Sequence, residues 1–194
     1  MNQHFGELKK WHYFFKQETR FDMHPEDVFD ESLTELFFCC DHSKKITTCL
    51  GYMVVVTTTE NLHNINKEQR FVGQLVWHAK KTEDYTLTLR TRLELRDNFA
   101  RPDVACRVRE KIKVHFLRKR KVQIFMFEEF FINLTNTEWI TKSRVDQNRV
   151  FAGVKVKHTP NISWNIGYLN QVKFRNAANL MNHAAVFEIH FKLP

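Results

Sequence analysis

Long apolar runs are missing from this chain. The longest are a few residues, such as Met53–Val56, so no helix of about 20 apolar residues can span a bilayer. Glycine occurs only 5 times and proline 4 times. No Gly-rich phosphate loop, Gly-x-Ser-x-Gly elbow or His-Glu-x-x-His helix is present, which leaves no catalytic motif and the expectation of a non-enzyme. The start, Met1-Asn2-Gln3-His4-Phe5-Gly6, lacks a basic stretch leading into an apolar one. No signal peptide is visible, so either the protein stays in the cytosol or the sequence begins after its leader. The cysteines, Cys39, Cys40, Cys49 and Cys106, show no Cys-x-x-Cys or Cys/His ligand spacing. Neither a metal site nor a disulfide framework is expected, and the thiols read as buried or lipid-facing. No cofactor is implied.

What is present is 194 residues, 43% hydrophobic, with 18 phenylalanines and a net charge of +8. That apolar content excludes disorder, and the length suits a single domain over 1–194.

Period two runs through nearly every segment. In Tyr85–Arg96, Tyr85, Leu87, Leu89, Leu93 and Leu95 share one face, while Thr86, Thr88, Arg90, Arg92, Glu94 and Arg96 share the other. Ala105–Leu117 repeats it, with Cys106, Val108, Ile112, Val114 and Phe116 opposite Arg107, Arg109, Lys111, Lys113 and His115. Side chains alternate along a strand, so each segment has an oily wall and a charged wall. Further strands read as Trp11–Phe21, Glu31–Asp41, Ile46–Thr58, Arg70–Lys80, Val122–Ile132, Arg149–His158, Ile162–Lys173 and His183–Leu193. Their lengths, about 10–12 residues, exceed the soluble mean of about 5–6 and match a tilted bilayer-spanning strand.

The connections alternate too. His42–Lys45, Lys81–Asp84, Arg118–Lys121 and Thr159–Asn161 are short, whereas Asp22–Asp30, Thr59–Gln69, Asp97–Val104, Asn133–Asn148 and Phe174–Asn182 are long. Short turns on one rim and long loops on the other are the habit of transmembrane barrels. Phe5–Leu8 with Lys9-Lys10 reads as the tail of one more strand and a tight turn, which implies a further N-terminal strand.

Cations on lipid-facing positions cost roughly 2–4 kcal/mol each at mid-membrane. Arg70, Arg90, Arg92, Arg96, Arg107, Arg109, Lys111 and Lys113 are therefore expected to line the interior with Gln74. Glu18, Glu35, Glu94, Glu128 or Glu129, and Glu188 are their candidate partners, while Glu110 falls on the apolar face and is expected at a rim or a bulge. The result is either a self-neutralised plug or a narrow, anion-leaning pore for a small anionic solute. A nucleic-acid surface fits poorly, because the basic residues alternate with aliphatics over many strands instead of clustering. Trp11, Trp77, Trp139, Trp164, Tyr85 and Tyr168 sit mostly near strand ends, as interfacial aromatics do.

A recognisable series follows: Phe127-Glu128-Glu129-Phe130-Phe131, Asn133, Asp146-Gln147-Asn148-Arg149, and Gly167-Tyr168-Leu169-Asn170-Gln171. Glu18-x-Arg20, Gln69-Arg70 with Gln74, and Arg90-x-Arg92-x-Glu94-x-Arg96 precede it. Together these resemble the bacterial domain of unknown function 2490 family, presumed outer-membrane β-barrel proteins. The resemblance implies a barrel and a location, but no established activity. At the residues themselves, Asp146, Gln147, Asn148 and Arg149 stand where a long loop is expected to enter a strand, with Tyr168 and Gln171 within reach. They read as a loop-anchoring network.

The expectation is an all-β, antiparallel up-and-down transmembrane-type barrel of ten strands, with twelve as the alternative. Its place is the outer membrane of a Gram-negative bacterium, and its partners are the lipid bilayer and the outer-membrane assembly machinery. The apolar face of the last strand (Ala185, Phe187, Ile189, Phe191, Leu193) suits recognition by that machinery. The rival is a soluble lipocalin-like barrel holding an apolar ligand, which needs the oily faces inward.

Overall fold

The structure is a computed structural model that describes residues 10–20, 31–58, 65–116, 120–140, 143–159, 162–175 and 178–191. Ten strands follow in order: β1 Lys10–Arg20, β2 Glu31–Asp41, β3 Ile46–Thr58, β4 Ile65–Lys81, β5 Tyr85–Asn98, β6 Val104–Phe116, β7 Val122–Asn133, β8 Val145–Lys157, β9 Ile162–Lys173 and β10 Leu180–Phe191. They form one curled antiparallel sheet in which spatial order equals chain order. That is the up-and-down arrangement which short and long connections in alternation require. Among the described residues no ladder joins β1 to β10. Their side chains nonetheless meet, with Lys16 Nζ of β1 3.9 Å from Glu188 Oε1 of β10. The expected strand remnant at Phe5–Leu8 lies outside the described residues.

Three strands start several residues earlier than the pattern predicts. β4 begins at Ile65, β8 at Val145 and β10 at Leu180, not at Arg70, Arg149 and His183. Asn66, Lys67 and Glu68 look like loop by composition, yet they pair with the end of β3. Their polarity is matched across the sheet: Asn98 Nδ2 donates to Asn66 Oδ1 at 3.0 Å, and Arg96 Nε donates to Glu68 Oε1 at 2.5 Å. A strand whose buried face is polar carries no hydrophobic alternation to announce it.

The two faces differ sharply. Leu50 and Phe71 stand on the exposed face, together with Trp11, Tyr13, Leu93 and Phe187. The other face buries an apolar patch on β2–β4 (Leu33, Phe37, Met53, Val55 and Val72) and a charged one on β4–β7. Phe37 lies flat on the backbone of Gly51, where an added Cβ would come within 2.3 Å of its ring. Phe151 covers the facing pair Gly153 and Gly167 in the same way. Glycine is needed at these points because the rings lie against the sheet wall.

The cysteines correct the expectation of free thiols. Cys39 and Cys49 face each other in the β2–β3 register and form a disulfide, while Cys40 and Cys106 stay free. The cause is the tight turn at 42–45, which sets residues ten apart directly opposite one another on the same face.

Candidate functional site: the charged buried face

The alternation of β4–β7 delivers its cations to one patch. Arg92 faces Arg109 across the β5–β6 pair, and Arg90 faces Lys111. Like charges at that separation need counter-charges close by. Glu94, fully buried, supplies the first. Arg107 donates to its Oε2 through Nε at 3.0 Å and Nη2 at 2.6 Å, and Arg109 Nη1 donates to its Oε1 at 2.7 Å. Arg70 and Arg92 approach the same carboxylate at 4.0 and 3.9 Å.

Glu129 supplies the second, accepting from Arg109 Nε at 2.9 Å and from Arg90, with Lys111 Nζ at 3.7 Å. Glu68 holds Arg70 and Arg96 through paired contacts of 2.5–3.1 Å. Glu35 of β2 reaches Arg92 of β5 at 3.4 Å, so the network crosses two intervening strands. In this patch seven cations share five carboxylates among the described residues. The excess is positive. Gln74 joins by accepting from Arg92 Nε at 3.0 Å.

Aromatic rings back the cations. Arg107, Arg109 and Arg149 lie 4.9, 4.3 and 4.9 Å from the centroid of Phe131, and Arg92 lies 4.8 Å from that of Phe37. A guanidinium over a ring face keeps its in-plane donors free for carboxylates.

Not every candidate falls in the patch. Glu128 stands exposed on the opposite face, accepting from Asn148 Nδ2 at 3.1 Å. Glu188 faces the buried side but lies on β10, where it accepts from Asn165 at 2.8 Å. Glu110 is neither at a rim nor at a bulge. It sits mid-strand in the unbroken β6 ladders, on the exposed face, accepting from Thr91 Oγ1 at 2.9 Å.

Of the six residues read as a loop anchor, four come together. Gln171 Nε2 donates to Gln147 Oε1 at 2.7 Å, and Gln171 faces Arg149 across β8–β9. Asp146 joins through an irregularity that alternation cannot foretell. The β7–β8 register shifts between Phe131 and Ile132, leaving Asp146 without an opposite partner on β7. Its carboxylate turns to the buried side and accepts from Arg107 Nη1 at 3.0 Å, a side chain re-aimed by a bulge. Asn148 and Tyr168 do not join, because both lie on the opposite face; Tyr168 bonds His183 there. The loop after β7 is tied at its base, with Asn133 Nδ2 donating to Ser143 O at 3.2 Å, and at its tip, with Trp139 Nε1 donating to Asp103 O at 2.9 Å. Trp139 thus belongs to a loop that folds over Arg96, whose guanidinium is 5.1 Å from its ring.

The chain resembles known proteins at two levels. It is 28% identical over 120 residues to an uncharacterised protein of Methylorubrum extorquens, a match covering 60% of this chain and 53% of that one. The chain thus spans about half the length of that relative. Its fold is similar to that of the NanC porin, with a TM-score of 0.58, 12% identity and 94% of each chain covered. At that identity the likeness concerns the fold, a porin-like β-barrel architecture. A family model matches residues 1–182, and the chain belongs to the family described as Protein of unknown function (DUF2490).

Proposed function

We propose that this chain is a non-enzymatic outer-membrane β-barrel of a Gram-negative bacterium, a single barrel domain whose charged, ion-paired face lines a narrow, anion-leaning pore. The observation that carries the reading is the division of faces. Ionisable groups of β4–β7 are buried with one another, while Leu50 is 74% and Phe71 57% exposed. A water-soluble barrel gains nothing by that inversion, since apolar surface left in water forfeits roughly 25 cal/mol per Å². The lipocalin-like alternative needs the leucines of β5 inside, whereas Leu93 and Leu95 are exposed and Glu94 between them is buried.

The dimensions agree. The apolar face of β5 runs from Tyr85 to Leu95; ten steps of about 3.4 Å, tilted by roughly 40°, give about 26 Å, the height of a lipid-facing band. Trp11, Trp77 and Trp164 are exposed near the strand ends on the rim of short turns, where an aromatic belt meets the membrane interface. In this reading the short turns are periplasmic and the long loops outside. The bilayer and the assembly machinery are the partners, and a small anion is the solute. Asp146, Gln147, Arg149 and Gln171 hold the β7–β8 loop at the pore mouth.

Conductance in planar bilayers tests the pore. Discrete channel events with a reversal potential favouring anions are expected, because cations outnumber carboxylates in the patch. Cation selectivity would contradict the interior charge. An absence of events would leave an ion-paired scaffold in place of a pore.

A further inference from the structure

Below the arginine patch, toward the rim of short turns, the buried face changes character. Phe125 and Phe127 of β7 and Phe151 of β8 stack with centroids 5.0 and 5.1 Å apart. Phe151 is pressed onto the backbone of Gly153 and Gly167, and the other two rings stack on it, with Lys111 Nζ 3.3 Å from the centroid of Phe127. Lys113 Nζ stands 4.5 Å from the centroid of Phe125. Lys155 shares this face two residues from Gly153, opposite Gln123 and Asn165.

These two lysines differ from the arginines in their company. Among the described residues no carboxylate lies within 4.0 Å of either, and neither ammonium has a hydrogen-bond acceptor. The carboxylate that acts on both at longer range is Glu188 of β10, and Asn165 and Lys16 already hold it. Lys111 is different, since Glu129 is 3.7 Å from its Nζ. An ammonium resting on a phenyl ring uses one side for the ring and keeps donors for an incoming acceptor.

We propose that Lys113, over Phe125, and Lys155 on the same face, beside the Phe125–Phe127–Phe151 stack, form a binding site for small organic anions that carry a carboxylate on an apolar or aromatic body. The carboxylate takes the lysine donors and the apolar body lies on the rings. The arginine patch cannot serve this way, because its guanidiniums are already committed to Glu68, Glu94 and Glu129. The site rests on the reading of the buried face as the barrel interior. It assigns solute preference to two lysines and leaves the arginines as framework.

Sodium benzoate is the probe, titrated into the detergent-solubilised full chain at low salt. Saturable binding is expected, with at least a tenfold loss of affinity in the K113Q/K155Q variant and retention in K113R/K155R. K44Q, in the exposed turn after β2, should bind as the unaltered protein does. A measurement that needs no variant follows benzoate protection against amine acetylation, read by peptide mass mapping. Lys113 and Lys155 should be protected, and Lys44 and Lys45 not. Unaltered affinity in folded K113Q/K155Q, or no selective protection, overturns the site. Parallel conductance separates the two ideas: binding without current sinks the pore and keeps the site, whereas anion-selective current without protection sinks the site and keeps the pore.

Discussion

Replacing Glu94 with glutamine removes one charge and almost no volume from a fully buried carboxylate that four arginines surround. Arg107 and Arg109 donate to it at 2.6–3.0 Å, and Arg70 and Arg92 stand at 3.9–4.0 Å. Taking one partner from a buried ion pair costs roughly 3–5 kcal/mol, because the remaining charge stays desolvated. The amide keeps one acceptor oxygen, so E94Q should lie near the lower end, at about 3 kcal/mol, and E94A near the upper. D84N is the matched control, since Asp84 is exposed in the short turn between β4 and β5; it should stay within about 0.5 kcal/mol. Urea unfolding in lipid vesicles, followed by tryptophan fluorescence, reads both. Combining E94Q with R109M should recover part of the loss, as the surplus cation leaves with its arginine. An E94Q cost below about 1 kcal/mol is what a solvated surface pair gives. That result would refute the picture of a dry network and put water around Glu94.

Further outcomes follow from other parts of the sheet. Gly51→Val drives a side chain into the Phe37 ring, 2.3 Å from an added Cβ; overpacking of this kind costs about 1–3 kcal/mol, and F37A should relieve part of it in the same unfolding assay. Alkylation of the unreduced, denatured chain should label Cys40 and Cys106 only, since Cys39 and Cys49 are joined; four labels would remove the cross-link. Its loss by C39S/C49S should cost about 3 kcal/mol on the chain-entropy estimate for a loop of this size. Leu93→Arg, at an exposed position, should destabilise the barrel in bilayers by roughly 2–4 kcal/mol, whereas in a soluble protein such a change stays within about 0.5 kcal/mol.

The alternation of side chains made most of the sheet legible. Residues 85–96 and 105–116 carry their arginines on one face and their leucines, valines and isoleucines on the other, and the sheet keeps that division. Register was legible only where a turn is tight. The pairing of Cys39 with Cys49 follows from a hairpin centred on residues 43–45, a signal that counting residues outward from the turn reveals and ligand-spacing rules do not. The bulge at Phe131/Ile132 leaves no mark in composition, so the turn of Asp146 toward the buried side is not legible in the sequence. Asn148 and Tyr168 are close in sequence to members of the loop-anchoring cluster, but an odd number of steps along the strand, one from Arg149 and three from Gln171, puts them on the other face. The inner apolar patch around Phe37 and Met53 was hidden, since β2 and β3 are apolar on both faces and alternation says nothing there.

The central claim is that the leucine face of β5 meets lipid and the arginine face does not. Spin labels placed singly at residues 86–96, in a background with Cys40 and Cys106 changed to serine, test it most directly. The protein is reconstituted in bilayers, and collision with dissolved oxygen is compared with collision with a polar nickel chelate. Positions 87, 89, 91, 93 and 95 should favour oxygen, and positions 88, 90, 92, 94 and 96 should be shielded from it. The opposite phase, or oxygen accessibility without a period of two, would contradict the account.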